Sequence, residues 1–349
     1  MTGLAHTADA PSVDVIIPVF NAPALTKRCI ESVISYLGSS IQAIHIQDDA
    51  SDRETATMLD QLSYPILHVV HAPHNQGYGA SVNEAIARSN ADFVLALNSD
   101  TELQENILPP LCNAMMADPK LAVISPVHQD VKFRFERYHR QPGGYILTYR
   151  FQGYGFLIRR ELFNALGGFD RQFGRGYFED TDLGRRLDMQ GWRMGVHPDA
   201  HILHAVGASF GRGQSYRRLV AQNRAQYLAR YPGAYRNILL VSRHSTYADL
   251  PDQLIDSIDR VLRQGGGVDW LTPAPVQQLP CLQLRNRPIG FRRIMKLILR
   301  GWSRNDKRIS TIWVMSDVRV WLRLLLMLGA RMRQLEICTW KAEQIESRH

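Results

Sequence analysis

Short apolar runs alternate with segments of helical periodicity in the first hundred residues, and this alternation constrains the fold more than any other feature. The apolar runs of strand length are residues 13–20, 41–47, 66–71 and 93–97, and the helical segments are residues 25–37 and 78–88. Strands that alternate with helices of this length form βαβ units, which build a mainly parallel sheet covered on both faces. Such sheets bind ligands at the carboxyl ends of their strands. We therefore predict an α/β fold with its functional site in the segments that follow the strands.

The remainder of the chain has a less regular pattern. Residues 122–160 are rich in Pro, Gly and aromatic residues and predict loops around a site, with a strand at residues 155–159. A helix is predicted at residues 181–190, directly after an acidic cluster. We place a domain boundary near residue 240 and predict a mainly helical region at residues 241–349, with a linker at about residues 264–290 because this stretch is rich in Gly and Pro.

The charge is concentrated in the last fifth of the chain. Residues 282–349 hold 15 Lys and Arg against 5 Asp and Glu, a net charge of +10, whereas the whole chain has +8. This split argues against nucleic acid binding by the main domain and favours an anionic partner for the C-terminal region, such as a membrane surface. The alternative is that these helices pack on the catalytic domain or on a second subunit.

Other features exclude further classes of protein. The four cysteines are widely separated, which makes a disulfide scaffold or a zinc ribbon unlikely and fits a reducing compartment. No secretory signal is recognised, and no apolar stretch is long enough to cross a bilayer. We therefore expect a cytoplasmic protein, peripheral at the inner face of the cell membrane.

Carboxylates follow two of the predicted strands. Asp48, Asp49 and Asp52 follow the second strand, where they could bind a ribose or a base edge, or form a solvated turn that caps a helix. Asp100 ends the sequence Asn98-Ser99-Asp100 after the strand at residues 93–97. It is placed to hold a divalent cation that bridges a diphosphate, although an Asx turn or helix cap is the alternative.

Three further patterns are candidates for chemistry. The Gly-rich segment from Asn75 to Asn83 runs into a helix, and its backbone amides could face phosphates, although it matches neither a dinucleotide fingerprint nor a Walker A loop. Glu179, Asp180 and Asp182 could supply a general base, or could be partners of a helix dipole. His204 follows an apolar run and could be a ligand or a structural residue, as could His197 and His201.

The order and spacing of these motifs resemble those of the family 2 glycosyltransferases, inverting enzymes with the GT-A fold. The resemblance covers about residues 12–235 and includes Gly167-Gly-Phe-Asp170 and His204-x-x-Gly-x-Ser-Phe210. It is greatest to bacterial rhamnosyl- and galactofuranosyl-type enzymes that build surface polysaccharides. The resemblance implies a mainly parallel GT-A sheet flanked by helices in a nucleotide-sugar-binding and catalytic domain at residues 1–240, followed by a C-terminal helical extension.

The resemblance also implies a role for each motif residue. Pro18, Phe20 and Asn21 would line the nucleobase pocket, and Asp48 would read the base edge. Asn75, Gly77 and Asn83 would border the nucleotide, and Asn98 and Ser99 would lie beside it. Asp100 would bind Mg²⁺ or Mn²⁺ with His204, and Asp180 would be the catalytic base with Glu179 beside it. Two positions depart from the family pattern: the first position of the D-x-D motif is Asn98, and the usual Asp-Asn pair is Asp48-Asp49, so either aspartate could read the base.

The function implied is metal-dependent transfer of a sugar from a dTDP- or UDP-linked donor to a glycan or lipid-linked acceptor in cell-surface polysaccharide synthesis. A sugar-1-phosphate nucleotidyltransferase is disfavoured, because Phe20-Asn-Ala-Pro-Ala replaces the Gly-rich basic loop expected after the first strand. A catalytically silent subunit that binds a nucleotide sugar at the membrane is the alternative. A homo-oligomer is left open.

Overall fold

The chain forms two compact units. A computed structural model describes residues 11–130, 133–205, 213–299 and 308–341. The first unit takes the chain up to Lys132, Pro142–Tyr145 and Phe151–Ala225, and the second takes Phe133–Gln141, Ile146–Arg150 and the chain from Gln226 onward.

Strands and helices alternate through most of the described chain. The strands are β1 Val13–Val19, β2 Ile44–Asp48, β3 Leu67–His71, β4 Phe93–Leu97, β5 Thr101–Leu103, β6 Leu121–His128, β7 Ile146–Thr148, β8 Gly155–Arg159, β9 Arg193–His204, β10 Asn237–Val241, β11 Gly267–Thr272, β12 Leu284–Pro288, β13 Ile309–Met315 and β14 Glu336–Trp340. The helices are α1 Pro23–Leu37, α2 Arg53–Asp60, α3 Tyr78–Arg88, α4 Leu108–Ala117, α5 Arg160–Ala165, α6 Glu179–Met189, α7 Gln214–Arg230, α8 Asp252–Arg263, α9 Phe291–Leu299 and α10 Val320–Arg333.

The sheet of the first unit has the strand order β3-β2-β1-β4-β8-β6-β9-β5. Strands β3, β2, β1 and β4 are parallel, whereas β8 runs antiparallel to β4 and β6, and β5 runs antiparallel to β9. This mixed, largely parallel sheet flanked by helices confirms the predicted fold class. In the parallel register, Val19 pairs with Asp48 and Asp48 with His71, so the strands end at a common edge.

Local sequence explains the ends of the elements in the first unit. Strand β1 is buried along its whole length, as expected for a strand covered on both faces. Helix α1 begins two residues before the predicted start, because Pro23 occupies its first turn, where a missing amide hydrogen does no harm. Helix α6 begins inside the acidic cluster rather than after it, with Glu179, Asp180 and Asp182 in its first turn. Carboxylates favour that position because of the helix dipole.

Aromatic rings fill the core between the first sheet and its helices. Phe156 packs against Phe151 and Phe169 with ring centroids 4.8 and 6.0 Å apart, and Phe163 contacts Phe169 at 5.5 Å. These rings are packed with buried aliphatic side chains of β1, β4 and α3. Phe169 lies in the segment Gly167-Gly-Phe-Asp170, so that part of the family motif contributes to the core.

The second unit corrects the predicted organisation of the C-terminal region. Its five strands form a wholly parallel sheet in the order β12-β11-β10-β13-β14. Residues 264–290 are not a linker, since they contain β11 and β12, and residues 241–349 are not mainly helical in the described part. The chain also divides near residue 225, earlier than the predicted residue 240.

The prediction failed in the centre of this sheet because β10 and β11 are short and wholly buried, so they lack the alternation that identifies a strand. Every residue of β10 and β11 is buried. The prolines at positions 273, 275 and 280 lie in the connection between β11 and β12. Arg137 ties this connection to β12, because it donates to the carbonyl of Val276 at 2.7 Å and to the side chain of Asn286 at 2.7 Å. Within the described residues, no helix has the length and apolar character needed to cross a membrane.

Candidate active site

A cleft of about 470 Å³ opens in the first unit where β1 and β4 end. It brings together most of the residues singled out from the sequence, which are Pro18, Phe20, Asp49, Asn75, Gly77, Asn98, Ser99, Asp100, Glu179, Asp180 and His204. Three predicted site residues are not among its lining residues: Asn21, Asp48 and Asn83. The sequence predicts a functional site at the carboxyl ends of the strands, and the cleft lies at the ends of β1 and β4.

Pro18 and Phe20 supply an apolar wall of the cleft. The guanidinium of Arg175 lies 5.9 Å from the centre of the Phe20 ring, within range of a cation–π interaction. Arg175 was not identified from the sequence, although a basic residue between Gly174 and Gly176, just before the acidic cluster, was a usable signal.

Of the two adjacent aspartates after β2, only Asp49 lines the cleft. Its two carboxylate oxygens accept the backbone amides of Gln76 at 2.6 Å and Gly77 at 2.8 Å. Asp48 points elsewhere and bonds to the ring of His71 at 2.7 Å and to the amide of Ser51 at 3.1 Å. The structure therefore does not support Asp48 as the base reader and favours Asp49, the alternative left open by the sequence.

Asn21 and Asn83 are framework residues rather than lining residues. The side-chain oxygen of Asn21 accepts the amide of Asp52 at 2.8 Å. The side chain of Asn83 donates to the carbonyl of Phe169 at 2.8 Å and accepts its amide at 2.9 Å. Both asparagines join loops around the site, which corrects their predicted contacts with the nucleotide.

The Gly-rich segment is also tied to its surroundings. The amides of Gln76 and Gly77 bond to Asp49, so they are not directed at a ligand as the sequence suggested. Gly77 has φ 93°, and a Cβ atom there would collide with the backbone of Gly174 and Arg175. Position 77 therefore requires glycine, because the backbone has a positive φ there and lies directly against the loop that contains Gly174 and Arg175. Within the described ranges, the buried side-chain oxygen of Asn75 has no hydrogen-bond partner.

Asp100 and His204 meet because β5 and β9 pair in an antiparallel register that sets Thr101 opposite His204. Asp100 Oδ1 lies 3.2 Å from His204 Nε2. The His204 ring is stacked on Tyr154 at 5.4 Å, and its carbonyl bonds to His128. By contrast, His197 bonds to the carbonyl of Gly143, and His201 bonds to Glu105, so neither faces the cleft.

The donor set around Asp100 fits a hard divalent cation completed by a ligand. Within the described ranges, no group of three or more His, Cys, Asp or Glu side chains is arranged to hold a metal ion. Asp100, His204 and the buried Asn98 Oδ1, which has no hydrogen-bond partner among the described residues, nevertheless offer oxygen and nitrogen donors in the same cleft. Mg²⁺ is commonly bound through one or two protein groups, with substrate phosphates and water as the other ligands.

Glu179 and Asp180 begin α6 and also line the cleft. The two residues before them, Tyr177 and Phe178, have φ of 73° and 78°, and this left-handed turn brings the helix N-terminus to the cleft. Asp180 accepts the amide of Thr181 at 2.6 Å. Its other oxygen approaches Gly153, where a Cβ atom would lie only 2.7 Å away.

The protonation of this pair is shifted by its surroundings. Glu179 is 6% exposed, and its Oε2 finds no hydrogen-bond partner among the residues that the structure describes. Burial raises the pKa of Glu179 well above its ordinary value, and the charge of Asp180 raises it further. Burial also raises the pKa of Asp180. Two adjacent carboxyl groups with raised pKa values in a cleft are a typical arrangement for proton transfer.

Aromatic residues beside Asp180 were missed by the sequence analysis. Tyr177 and Tyr216 line the cleft, with ring centroids 5.0 Å apart. Asn223 holds the preceding loop, because its side-chain nitrogen lies 2.7 to 3.0 Å from the carbonyls of Phe173, Gly176 and Tyr177. Gly207, Ser209 and Phe210, the rest of the His204 motif, lie outside the described residues.

The fold is similar to that of GT-A glycosyltransferases. A mannosyltransferase from Pyrobaculum calidifontis, solved with GDP-Man and Mn²⁺, superposes with a TM-score of 0.52 at 24% identity and covers 64% of each chain. GalNAc-T7, solved with UDP, GalNAc and Mn²⁺, superposes with a TM-score of 0.50 at 15% identity and covers 65% of this chain and 51% of its own.

Sequence comparison specifies the family. Residues 14–178 match the family model described as "Glycosyl transferase family 2", and residues 147–229 match "Glycosyltransferase like family 2". The chain is 25% identical over 235 residues to the N-acetylglucosaminyl-diphospho-decaprenol L-rhamnosyltransferase of Mycobacterium tuberculosis, covering 54% of this chain and 71% of the relative. It is 25% identical to the beta-monoglucosyldiacylglycerol synthase of Synechocystis, covering 56% of this chain and 44% of that protein. Residues 14–229 therefore contain glycosyltransferase family 2 domains.

Proposed function

We propose that this chain is an inverting, metal-dependent glycosyltransferase that moves a sugar from a dTDP- or UDP-linked donor to a hydroxyl group of a glycan or lipid-linked acceptor. The observation that carries the proposal is the position of Asp100 and Asp180 on the walls of one cleft. Direct displacement at an anomeric carbon needs stabilisation of the departing diphosphate and removal of the acceptor proton. Asp100 is available to hold a cation that stabilises the diphosphate, and Asp180 is available to remove the proton.

The donor nucleotide binds along the wall formed by Pro18, Phe20 and Asp49. Phe20 offers an apolar face to the base, and Asp49 offers carboxylate oxygens to its polar edge. Each oxygen of Asp49 accepts one backbone amide and retains a second lone pair for a base N–H. A pyrimidine with an N–H at this edge, such as thymine or uracil, fits an acceptor of this kind. Arg175, which lies over Phe20, supplies positive charge beside the nucleotide.

Asp100, His204 and Asn98 are the residues that would hold Mg²⁺ or Mn²⁺. When bound, the cation would stabilise the negative charge that develops on the departing diphosphate. The contact between Asp100 and His204 orients both side chains before any ligand arrives. Stacking on Tyr154 further restricts the His204 ring.

Asp180 takes the proton from the acceptor hydroxyl. Its hydrogen bonds with Thr181 fix the carboxylate, and its raised pKa brings it closer to the working pH, which strengthens it as a base. Glu179 is buried beside it, and burial together with the charge of Asp180 raises the pKa of Glu179 to about 8. Tyr177 and Tyr216 flank this position and provide surfaces on which an acceptor sugar can pack.

The acceptor proposed is a growing cell-surface polysaccharide or its lipid-linked precursor. Support comes from the mycobacterial relative, which is named as a rhamnosyltransferase for N-acetylglucosaminyl-diphospho-decaprenol. A peripheral location at the inner face of the cell membrane would bring the chain to such an acceptor and forms part of the proposal.

Two measurements test the proposal. The first is a thermal-shift series with UDP, dTDP, GDP and CMP, each with and without Mn²⁺. A ligand at about 100 times its Kd adds roughly 2.7 kcal/mol to stability, so a Mn²⁺-dependent shift with dTDP or UDP is the expected result.

The second measurement is release of that nucleotide from its sugar conjugates in the presence of acceptor. Asp180→Asn should lower the rate by about 10²–10⁴ while the thermal shift with nucleotide persists. Glu161→Gln, which alters a carboxyl group that is 89% exposed, is the control and should behave as the wild type. Full turnover by Asp180→Asn would exclude it as the base, and nucleotide binding without turnover by the wild type would instead support the silent-subunit alternative.

A further inference from the structure

The outward face of α10 is apolar, which is unusual for a helix on a protein surface. Six large apolar side chains are between 44% and 67% exposed there: Val320, Trp321, Leu324, Met327, Leu328 and Met332. Their spacing of three or four residues places them on one side of the helix. Isolated exposed apolar residues need no explanation, but a contiguous face indicates a binding surface.

The opposite side of α10 is anchored, so its apolar face is held outward. Leu322, Leu326 and Ala330 are buried. Gly329 packs against α9, where a Cβ atom would lie 2.8 Å from the side chain of Ile298. The apolar face is therefore a fixed feature of this helix pair.

Basic residues accompany this face on both helices. Neither α9 nor α10 contains an acidic residue, and together they contain Arg292, Arg293, Lys296, Arg323, Arg331 and Arg333. Two acidic residues that flank α10 have contacts elsewhere: Glu336 lies 3.2 Å from Arg236, and Asp317 accepts the backbone amide of Arg243. The helix pair therefore combines exposed apolar side chains with a net positive charge.

We infer that the outward face of α10, with the cations of α9, docks on an anionic lipid surface. Helix α10 has 14 residues and is too short to cross a bilayer, so it would lie in the plane of the interface. Trp321, Leu324 and Leu328 would enter the boundary between headgroups and acyl chains, and the flanking cations would contact lipid phosphates. The inference specifies the surface for the peripheral location proposed above and does not depend on the transfer reaction.

The charge pattern favours lipid over a second copy of the chain. A symmetric dimer would bring the same patch together from both subunits and would set its cations against one another. Like charges across an interface disfavour association. An anionic bilayer presents the complementary charge over its whole surface.

Flotation of the full chain with vesicles tests the inference without any substrate. Binding is expected to phosphatidylcholine vesicles that contain phosphatidylglycerol, with far less binding to pure phosphatidylcholine. Trp321→Ser with Leu324→Ser should lower the partition coefficient at least tenfold, because both side chains leave the interface. Arg292→Gln with Lys296→Gln should lower it about twentyfold, since each cation near an anionic surface contributes roughly a factor of five.

Matched controls separate the proposed face from general effects. Met189→Ser alters a side chain that is 64% exposed in the first unit, and Lys27→Gln with Arg28→Gln removes two exposed cations from α1. Neither control should change vesicle binding, and every variant should keep the melting temperature of the wild type because the changed side chains are exposed. Equal binding to neutral and anionic vesicles would overturn the inference. So would a Trp321→Ser, Leu324→Ser variant that binds vesicles normally but changes a dimer to a monomer by light scattering.

Discussion

His204 Nε2 lies 3.2 Å from Asp100 Oδ1, although 103 residues separate the two positions in the chain. The antiparallel pairing of β5 with β9 brings them together at the edge of the cleft. This contact joins a carboxylate to an imidazole in the cleft that Asn98 also lines, and the Asn98 Oδ1 has no hydrogen-bond partner within the described part of the chain. Together these groups form the part of the cleft best suited to a divalent cation.

Replacing His204 tests its role directly. His204→Asn should raise the Mn²⁺ concentration needed for half-maximal nucleotide release by at least tenfold, because even groups that only support a metal ligand contribute about 10–100-fold to affinity. The measurement is a Mn²⁺ titration of turnover. His201→Asn is the control, since His201 lies on the same strand but bonds to Glu105, and it should leave the titration unchanged. An unchanged titration in His204→Asn would remove this residue from the proposed ligand set.

The adjacent aspartates Asp48 and Asp49 should have separable effects. Asp49→Asn should weaken nucleotide binding by about tenfold or more, because a hydrogen bond to a charged group contributes roughly 1.5–3 kcal/mol. Asp48→Asn should instead lower the free energy of unfolding by about 1–3 kcal/mol, since it disrupts a buried contact with His71, and should leave nucleotide affinity nearly unchanged. Calorimetric titration and urea unfolding measure the two effects, and the reverse pattern would restore Asp48 as the base reader.

Glu179 predicts a specific dependence of stability on pH. Its pKa is raised in the folded chain by burial and by the charge of Asp180, so the native state retains a proton that the unfolded state releases. Its stabilising contribution is therefore fully present below the unfolded pKa of 4.5 and is lost as pH rises through the folded pKa of about 8. Between these values, stability should fall with pH in the wild type and fall less in Glu179→Gln. Urea unfolding at several pH values measures this, with Glu161→Gln expected to follow the wild type. Parallel curves for wild type and Glu179→Gln would show that burial of this carboxyl does not shift its titration.

Gly77 should tolerate no side chain. Its φ of 93° is unfavourable for other residues, and a Cβ atom would collide with backbone atoms of Gly174 and Arg175. Gly77→Ala should destabilise the chain by about 1–3 kcal/mol and weaken nucleotide binding, because both loops line the cleft. Gly213→Ala is a suitable control, since a Cβ atom there meets nothing within 4 Å. Thermal unfolding with and without nucleotide provides the readout, and equal behaviour of the two variants would contradict the proposed loop contact.

Several side-chain roles could not be read from the sequence. Residues next to each other in an extended segment point in opposite directions, so the sequence Asp48-Asp49 does not specify which carboxylate faces the cleft. Asn83 belongs to a recognisable motif, yet it bonds to Phe169, which lies 86 residues away. Such a contact depends on packing between elements, and local patterns carry no information about it.

The parallel α/β core, the family 2 glycosyltransferase domain and the segments that line the cleft were predictable from the sequence, because buried strands and amphipathic helices have local periodicities and the motifs occur in a characteristic order. Tertiary structure decided which motif residues face the cleft, that Asp100 meets His204, and that β10 to β14 form a second sheet rather than a helical extension. It also decided that α10 presents an apolar face outward. These features depend on strand register and on contacts between distant segments, which hydrophobic periodicity does not encode.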